Sequence, residues 1–315
     1  MLNLDERDRK IIRLLDDNSR LSVTVIAKKS GISVSNVTYR LESLRKNRIM
    51  EEFYVLLNPF AFKNNYDRIM FRLRADWPKD KITNYCKSDN SIGWFISFDG
   101  SWNFSFQVWS NNMSETKDTL QKFLESFGDY VEEYVISSVL SIEKHEHQFF
   151  YDKDTSMTTI VRVPPVDINT LDRKIMSIIF RDSRLKLLDI AKKVHSNYKV
   201  VNYRLKNLIK NNVIIGYKLK LNRFNTGYDY YKIKMDFKSY NKKDIMTLKE
   251  FLRNDKHVMF ITEALGWADL EFEIFCKNQE EYRMFQDTLK RRFVGIIRNY
   301  ETLIPLEFDW NHFMP

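Results

Sequence analysis

The sequence predicts an α+β chain built as two tandem copies of one unit. Each unit is a cluster of short helices ending in a polar-faced helix, followed by a βαββαβ layer. Three observations predict this: an internal repeat, a helical apolar period early in each copy, and strand-like alternation later in it. Asp8-Arg9-Lys10-Ile11 matches Asp172-Arg173-Lys174-Ile175 at an offset of 164 residues. The same offset pairs Ser19-Arg20-Leu21 with Ser183-Arg184-Leu185, Ile26-Ala27-Lys28-Lys29 with Ile190-Ala191-Lys192-Lys193, and Tyr39-Arg40-Leu41 with Tyr203-Arg204-Leu205. It continues to Leu57-Asn58 and Leu221-Asn222 without a gap, which chance does not produce.

Ile11, Leu14 and Leu15 form the buried stripe of a first helix, mirrored by Ile175, Ile178 and Ile179. A short helix near Val23 to Lys29 follows, then Ser30-Gly31-Ile32, where glycine suits a left-handed turn. The next helix, Ser33 to Arg48, buries Val37, Leu41 and Leu44, with Ser33 as its N-cap. Its other face carries Ser35, Asn36, Tyr39 and Arg40, which suit base edges and phosphates. The order is that of a helix-turn-helix, although a solvated surface helix would show the same face. In the second copy Lys199, Asn202, Tyr203, Arg204 and Lys206 oppose buried Val201, Leu205 and Leu208. Arg40 and Asn36 are the leading base-contact candidates of the first copy; Tyr39 and Tyr203 could equally pack inward. His195 replaces Gly31 and Asn197 replaces Ser33; both tolerate their positions, so the motif survives. After Ile49, Phe53, Val55 and Leu57 alternate up to Asn58-Pro59, which reads as a β-hairpin wing.

From Tyr66 the order is strand (Ile69, Phe71, Leu73), helix (Pro78 to Lys87), strand (Ile92 to Phe98), strand (Trp102 to Trp109), helix (Ser114 to Phe127) and strand (Tyr130 to Leu140). The second copy repeats it from Tyr230 to Glu307 at an offset of 166, giving two ferredoxin-like sandwiches. Expected domains are residues 1–60, 64–144, 167–224 and 227–315. A linker, 145–166, contains Phe149-Phe150-Tyr151 and the stiff Pro164-Pro165.

The 315 residues carry a net charge of +9, so an anionic partner is favoured. Residues 4–58 hold eleven Lys/Arg against eight Asp/Glu, and residues 168–222 hold thirteen against three. The second head should therefore grip phosphates more strongly. No run of eighteen apolar residues exists, and MLNLDERDRK lacks the apolar core of a signal peptide, so no membrane partner is expected. Cys86 and Cys276 read as reduced thiols of a cytoplasmic protein. His145-Glu146-His147 is weak as a metal motif, no nucleophile–base constellation stands out, and neither cofactor nor metal is expected.

LDERDRKIIRLL, SRLSVTVIAKKSGIS and VTYRLESLRKNRI, with IIGYKLKLN in the second copy, resemble the Lrp/AsnC family of transcription regulators. The resemblance covers almost the full length of both copies. It implies a winged helix-turn-helix followed by a βαββαβ effector and assembly (RAM-type) domain. It also implies sequence-specific binding of double-stranded DNA in the nucleoid, homo-oligomers formed through the βαββαβ domains, and in some members an amino-acid effector. The effector turn resembles Gly-x-x-Asp, here Gly100-Ser101-Trp102-Asn103 and Gly266-Trp267-Ala268-Asp269; a purely structural turn fits equally. The family chain is usually a single unit, whereas this one predicts a covalent pseudo-dimer. Sirohaem decarboxylases share the fold and also occur as fused pairs. Their chemistry needs histidines and arginines around a tetrapyrrole. None of His145, His147, His195, His257 and His312 recurs in the other copy, and no tryptophan-proline-tyrosine-asparagine motif is present. The sequence therefore favours a regulator over an enzyme, or over an assembly protein with decayed heads.

Overall fold

The structure, a computed structural model, describes residues 4–62, 65–148, 157–164, 166–180, 182–310 and 314. Phe149-Phe150-Tyr151, Pro165 and His312 lie outside them. In chain order the first copy comprises α1 (Glu6–Asp17), α2 (Val23–Ser30), α3 (Val34–Lys46), β1 (Met50–Leu57), a 3-10 turn (Pro59–Phe62), β2 (Asn65–Leu73), α4 (Lys79–Ser88), β3 (Ile92–Asp99), β4 (Phe104–Ser110), α5 (Met113–Phe127) and β5 (Val131–His145). After β6 (Met157–Val161), the second comprises α6 (Thr170–Phe180), α7 (Leu187–Lys193), α8 (Tyr198–Lys210), β7 (Ile214–Leu221), α9 (Arg223–Thr226), β8 (Asp229–Phe237), α10 (Lys242–Arg253), β9 (Val258–Leu265), β10 (Leu270–Cys276), α11 (Gln279–Arg292) and β11 (Ile297–Trp310).

The chain forms two compact units, and each draws on both copies. The first contains both helical heads. Local chemistry starts each head in the same way. Asp5 caps α1 by accepting from the Asp8 N–H at 2.8 Å, and Asp8 returns the bond to the Asp5 N–H. Asn169 and Asp172 repeat this reciprocal cap on α6. Two orphan amides are thus satisfied at each helix start. Gly31 ends α2 at φ 69°, and His195 takes the same left-handed role after α7 at φ 52°. Both turns close alike, Ile32 N–H on Ala27 O and Ser196 N–H on Ala191 O.

The expected β-hairpin wing is not formed within either copy. β1 pairs antiparallel with β7 of the other copy, Phe53 opposite Leu219 and Val55 opposite Tyr217. Each copy offers one strand and then leaves it through the Pro59–Phe62 turn or α9, so the exposed strand edge is satisfied by its equivalent. The two strand ends are closed by Asn58 N–H on Val213 O and Asn222 N–H on Ile49 O. The stretch expected as a linker is built in: His147 N–H donates to Asp16 Oδ2 at 2.8 Å, and buried Glu146 pairs with buried Lys218.

The second unit holds both βαββαβ layers. Strand order within each copy is β5-β2-β4-β3 and β11-β8-β10-β9. The layers join at both edges, β3 to β11 and β5 to β9, so eight strands close into a ring, with β6 added beside β5. The outer edge strands of each layer are thereby paired. Alternation along the strands explains two kinds of core. Ile69, Phe71, Phe104 and Phe106 pack with Leu120 and Phe123 of α5, and Ile233, Met235, Phe272 and Ile274 with Phe285 and Leu289 of α11. The opposite faces bury Met70, Ile96, Trp102, Trp267 and Leu303 together, with Trp102 and Trp267 edge to face at 6.2 Å.

Candidate nucleic-acid interface

α3 and α8 each bury a single stripe. Val37 and Leu44 are buried and Leu41 half-buried; Val201, Leu205 and Leu208 are all buried. On the outer faces Ser35, Tyr39, Lys199, Tyr203 and Lys206 are exposed, Tyr39 by 71% and Tyr203 by 65%. The tyrosines therefore do not pack inward. Asn36, Asn202, Arg40 and Arg204 are half-buried.

Arg40 and Asn36 face the protein. Arg40 Nε donates to Asn36 Oδ1 at 2.8 Å, and its Nη1 donates to Asp8 at 2.7 Å and Asp5 at 2.8 Å. The arginine thus clamps α3 to the start of α1. In the second copy Arg204 reaches Asp172 at 3.6 Å and is more exposed. The looser pairing leaves it better able to turn outward. Several charges counted toward the basic second head are also spent internally: Lys218 on Glu146, Lys220 on Glu51, and Arg184 on backbone carbonyls.

Sequence reasoning missed how the two heads are joined. Arg20 donates to Ser183 O at 2.8 Å and Leu185 O at 2.9 Å; Arg184 donates to Ser19 O at 2.9 Å and Leu21 O at 3.0 Å. Each guanidinium also lies over an aromatic ring, Arg20 over Tyr217 and Arg184 over Phe53. The repeated Ser-Arg-Leu triplet was the available signal. The two α3-like helices are consequently carried by one symmetric joint rather than by independent domains.

The four effector-turn residues do structural work. Asn103 clamps Leu73 with two bonds of 2.8 Å, to its N–H and its carbonyl. Asp269 Oδ2 accepts from Phe237 N–H at 2.7 Å and from the Tyr240 hydroxyl at 3.0 Å. Gly266 (φ 111°) passes so close to β5 that a Cβ would strike the Ile136 carbonyl, and a Cβ on Gly100 would meet Leu303 at 2.5 Å.

A family model described as winged helix-turn-helix DNA-binding matches residues 4–49 and 168–215. An uncharacterised HTH-type transcriptional regulator of Pyrococcus abyssi is 35% identical over 118 residues, 38% of this chain and 79% of the relative. This chain belongs to the Lrp/AsnC family. The HTH-type transcriptional regulator LrpA of Pyrococcus horikoshii is 39% identical over 56 residues, 18% of this Lrp/AsnC chain and 40% of that one. Among solved structures, the siroheme decarboxylase NirDL aligns with a TM-score of 0.66 at 15% identity, over 96% of this chain and 92% of its own. At that identity the likeness is one of fold alone, over nearly the whole length of both chains. No helix among the described residues is long and apolar enough to cross a membrane.

Proposed function

We propose that this Lrp/AsnC protein is a sequence-specific, double-stranded-DNA-binding transcription regulator without catalytic activity, acting in the nucleoid as a covalent pseudo-dimer. The observation that carries the reading is the pair of polar outer faces on α3 and α8, held in one symmetric unit. We assign groove contacts to Ser35 and Tyr39 in the first head and to Lys199, Asn202, Tyr203, Arg204 and Lys206 in the second. Asn36 and Arg40 position the first helix. The name of the Pyrococcus abyssi relative supports the regulator reading, and the paired, buried charges inside the strand ring speak against an open tetrapyrrole pocket there.

Gel shifts on genomic fragments at rising salt test this. Binding whose log affinity falls linearly with log salt, by about 0.9 per phosphate neutralised, is expected. A protein that shifts no fragment at low salt, or that binds and decarboxylates a tetrapyrrole, overturns it. For the amino-acid effector, Asp269 is the side chain of the turn that could hold an ammonium, which would replace the exposed Tyr240 hydroxyl. Amino-acid titration of the wild type against Asp269→Asn tests this assignment. Homo-oligomers would use the surface bearing Met246 of α10, Met284 of α11 and Val294 in the turn after α11, all well exposed.

A further inference from the structure

His257, Cys276 and Glu281 bring an imidazole, a thiol and a carboxylate together at one end of the second βαββαβ layer, with ligand atoms within 4.8 Å of one another. His257 lies in the turn before β9, Cys276 ends β10, and Glu281 lies in the first turn of α11. Phe275 N–H donates to His257 O at 2.9 Å, so the backbones carrying the first two residues are tied. We propose that these three side chains bind one divalent cation of the zinc class.

The arrangement around them is that of a ligand set with its supports. Asp255 Oδ1 lies 2.7 Å from His257 Nδ1 and also accepts the His257 backbone N–H at 2.9 Å. A carboxylate on one ring nitrogen fixes the tautomer in which the other presents a lone pair. That other nitrogen, Nε2, is buried, makes no aligned hydrogen bond, and lies 3.1 Å from Glu281 Oε1. Glu281 spends its second oxygen on the Lys277 N–H at 2.6 Å, which orients the carboxylate. A cleft of about 470 Å³ lined by Asp255, His257, Glu281 and Met284 gives an ion a way in and a water its fourth position.

Chemistry selects the ion class. Nitrogen, sulfur and one carboxylate oxygen suit zinc, whereas magnesium and calcium require oxygen shells. Zinc bonds of about 2.0–2.3 Å set tetrahedral ligands about 3.3–3.8 Å apart, so the trio must contract by roughly 1 Å, within reach of side-chain rotation. A thiolate and a carboxylate together also neutralise the dication.

The first copy supplies an internal control. At the 166-residue offset, Asp255, His257, Cys276 and Glu281 correspond to Asp89, Ser91, Ser110 and Glu115. There Asp89 Oδ1 accepts the Ser91 N–H at 2.8 Å and hydroxyl at 2.6 Å, and the Ser110 hydroxyl pairs with Thr116 at 2.7 Å. The frame is the same, but the hydroxyls satisfy one another and offer no soft ligand. One ion per chain follows, in the second copy alone.

The test uses the full chain stripped of metal and titrated with cobalt(II), then zinc. One cobalt per chain is expected, with a near-ultraviolet thiolate charge-transfer band and visible bands of a tetrahedral site, all abolished by zinc. Cys276→Ser loses the charge-transfer band, and Asp255→Asn, which keeps all three ligands, weakens binding by about 10- to 100-fold. No cobalt bands from the folded chain, or bands unchanged in Cys276→Ser, overturns the site. None of these readouts depends on DNA binding.

Discussion

The Ser19 hydroxyl lies 2.7 Å from the Ser183 hydroxyl, and these are the same position of the two copies. A residue that touches its own equivalent sits on a two-fold axis, so the head unit is a pseudo-symmetric dimer made from one chain. The reciprocal Arg20 and Arg184 bonds follow from that axis, as do the matched closures of β1 and β7.

Arg20→Ala is expected to cost about 2–3 kcal/mol, because it removes two hydrogen bonds from a charged donor and leaves the carbonyls of buried Ser183 and half-buried Leu185 unmet. Arg184→Ala should match it. Urea unfolding followed on the head unit reads both. A loss confined to one of the two substitutions would show that the joint is not symmetric.

Within the strand ring, Arg68, Lys232 and Glu271 are buried together. Burial alone would raise the Glu271 carboxyl, but Arg68 and Lys232 outweigh it and hold it at about 2 against an ordinary 4.5. A depressed folded value means that the stabilisation is complete above the unfolded value and is lost as pH falls through the folded one. Unfolding free energy should therefore decline between about pH 4.5 and 2 by more in the wild type than in Glu271→Gln. Equal slopes would contradict this. Arg68→Met leaves Glu271 short of a partner and should cost about 3–5 kcal/mol at neutral pH.

His195 adopts φ 52°, a region in which a Cβ costs about 1 kcal/mol. His195→Gly should therefore raise stability by about 0.5–1 kcal/mol, and Gly31→Ala should lower it by a similar amount. Thermal unfolding of the two variants checks the pair; the same sign for both would sink the comparison.

A helix-positioning arginine and a groove-facing lysine should behave differently. Arg40→Ala is expected to destabilise the first head, because Asp5, Asp8 and Asn36 lose their partner, while its salt slope on DNA stays unchanged. Lys206→Ala should leave stability intact and reduce the slope by about 1. Fluorescence anisotropy at several salt concentrations separates them.

The duplication, the helical heads and the strand order were legible because apolar periods of 3.6 and 2 survive in both copies, and Gly31 punctuates the first head. Pairing partners were not. Alternation at Phe53, Val55 and Leu57 announces a strand but does not say whether its neighbour lies in the same copy, and here it is the equivalent strand of the other copy. The pairing of Arg40 with Asp5 and Asp8 was not legible, because an arginine on a polar helical face looks the same whether it meets a phosphate or the cap of another helix. Arg68 and Glu271 were illegible for a related reason: charges at strand positions usually mark a solvated face, and the closed ring turns that face inward. The His257–Cys276–Glu281 group escaped notice because its members are scattered over 25 residues with no recurring spacing.

Binding-site selection from random duplex DNA, using the full chain, addresses the central claim most directly. Two unlike half-sites whose centres lie about one helical turn apart, some 34 Å, or a multiple of that, are expected from two non-identical heads on one two-fold joint. Enrichment of strictly palindromic half-sites, or of no sequence at all, would contradict it.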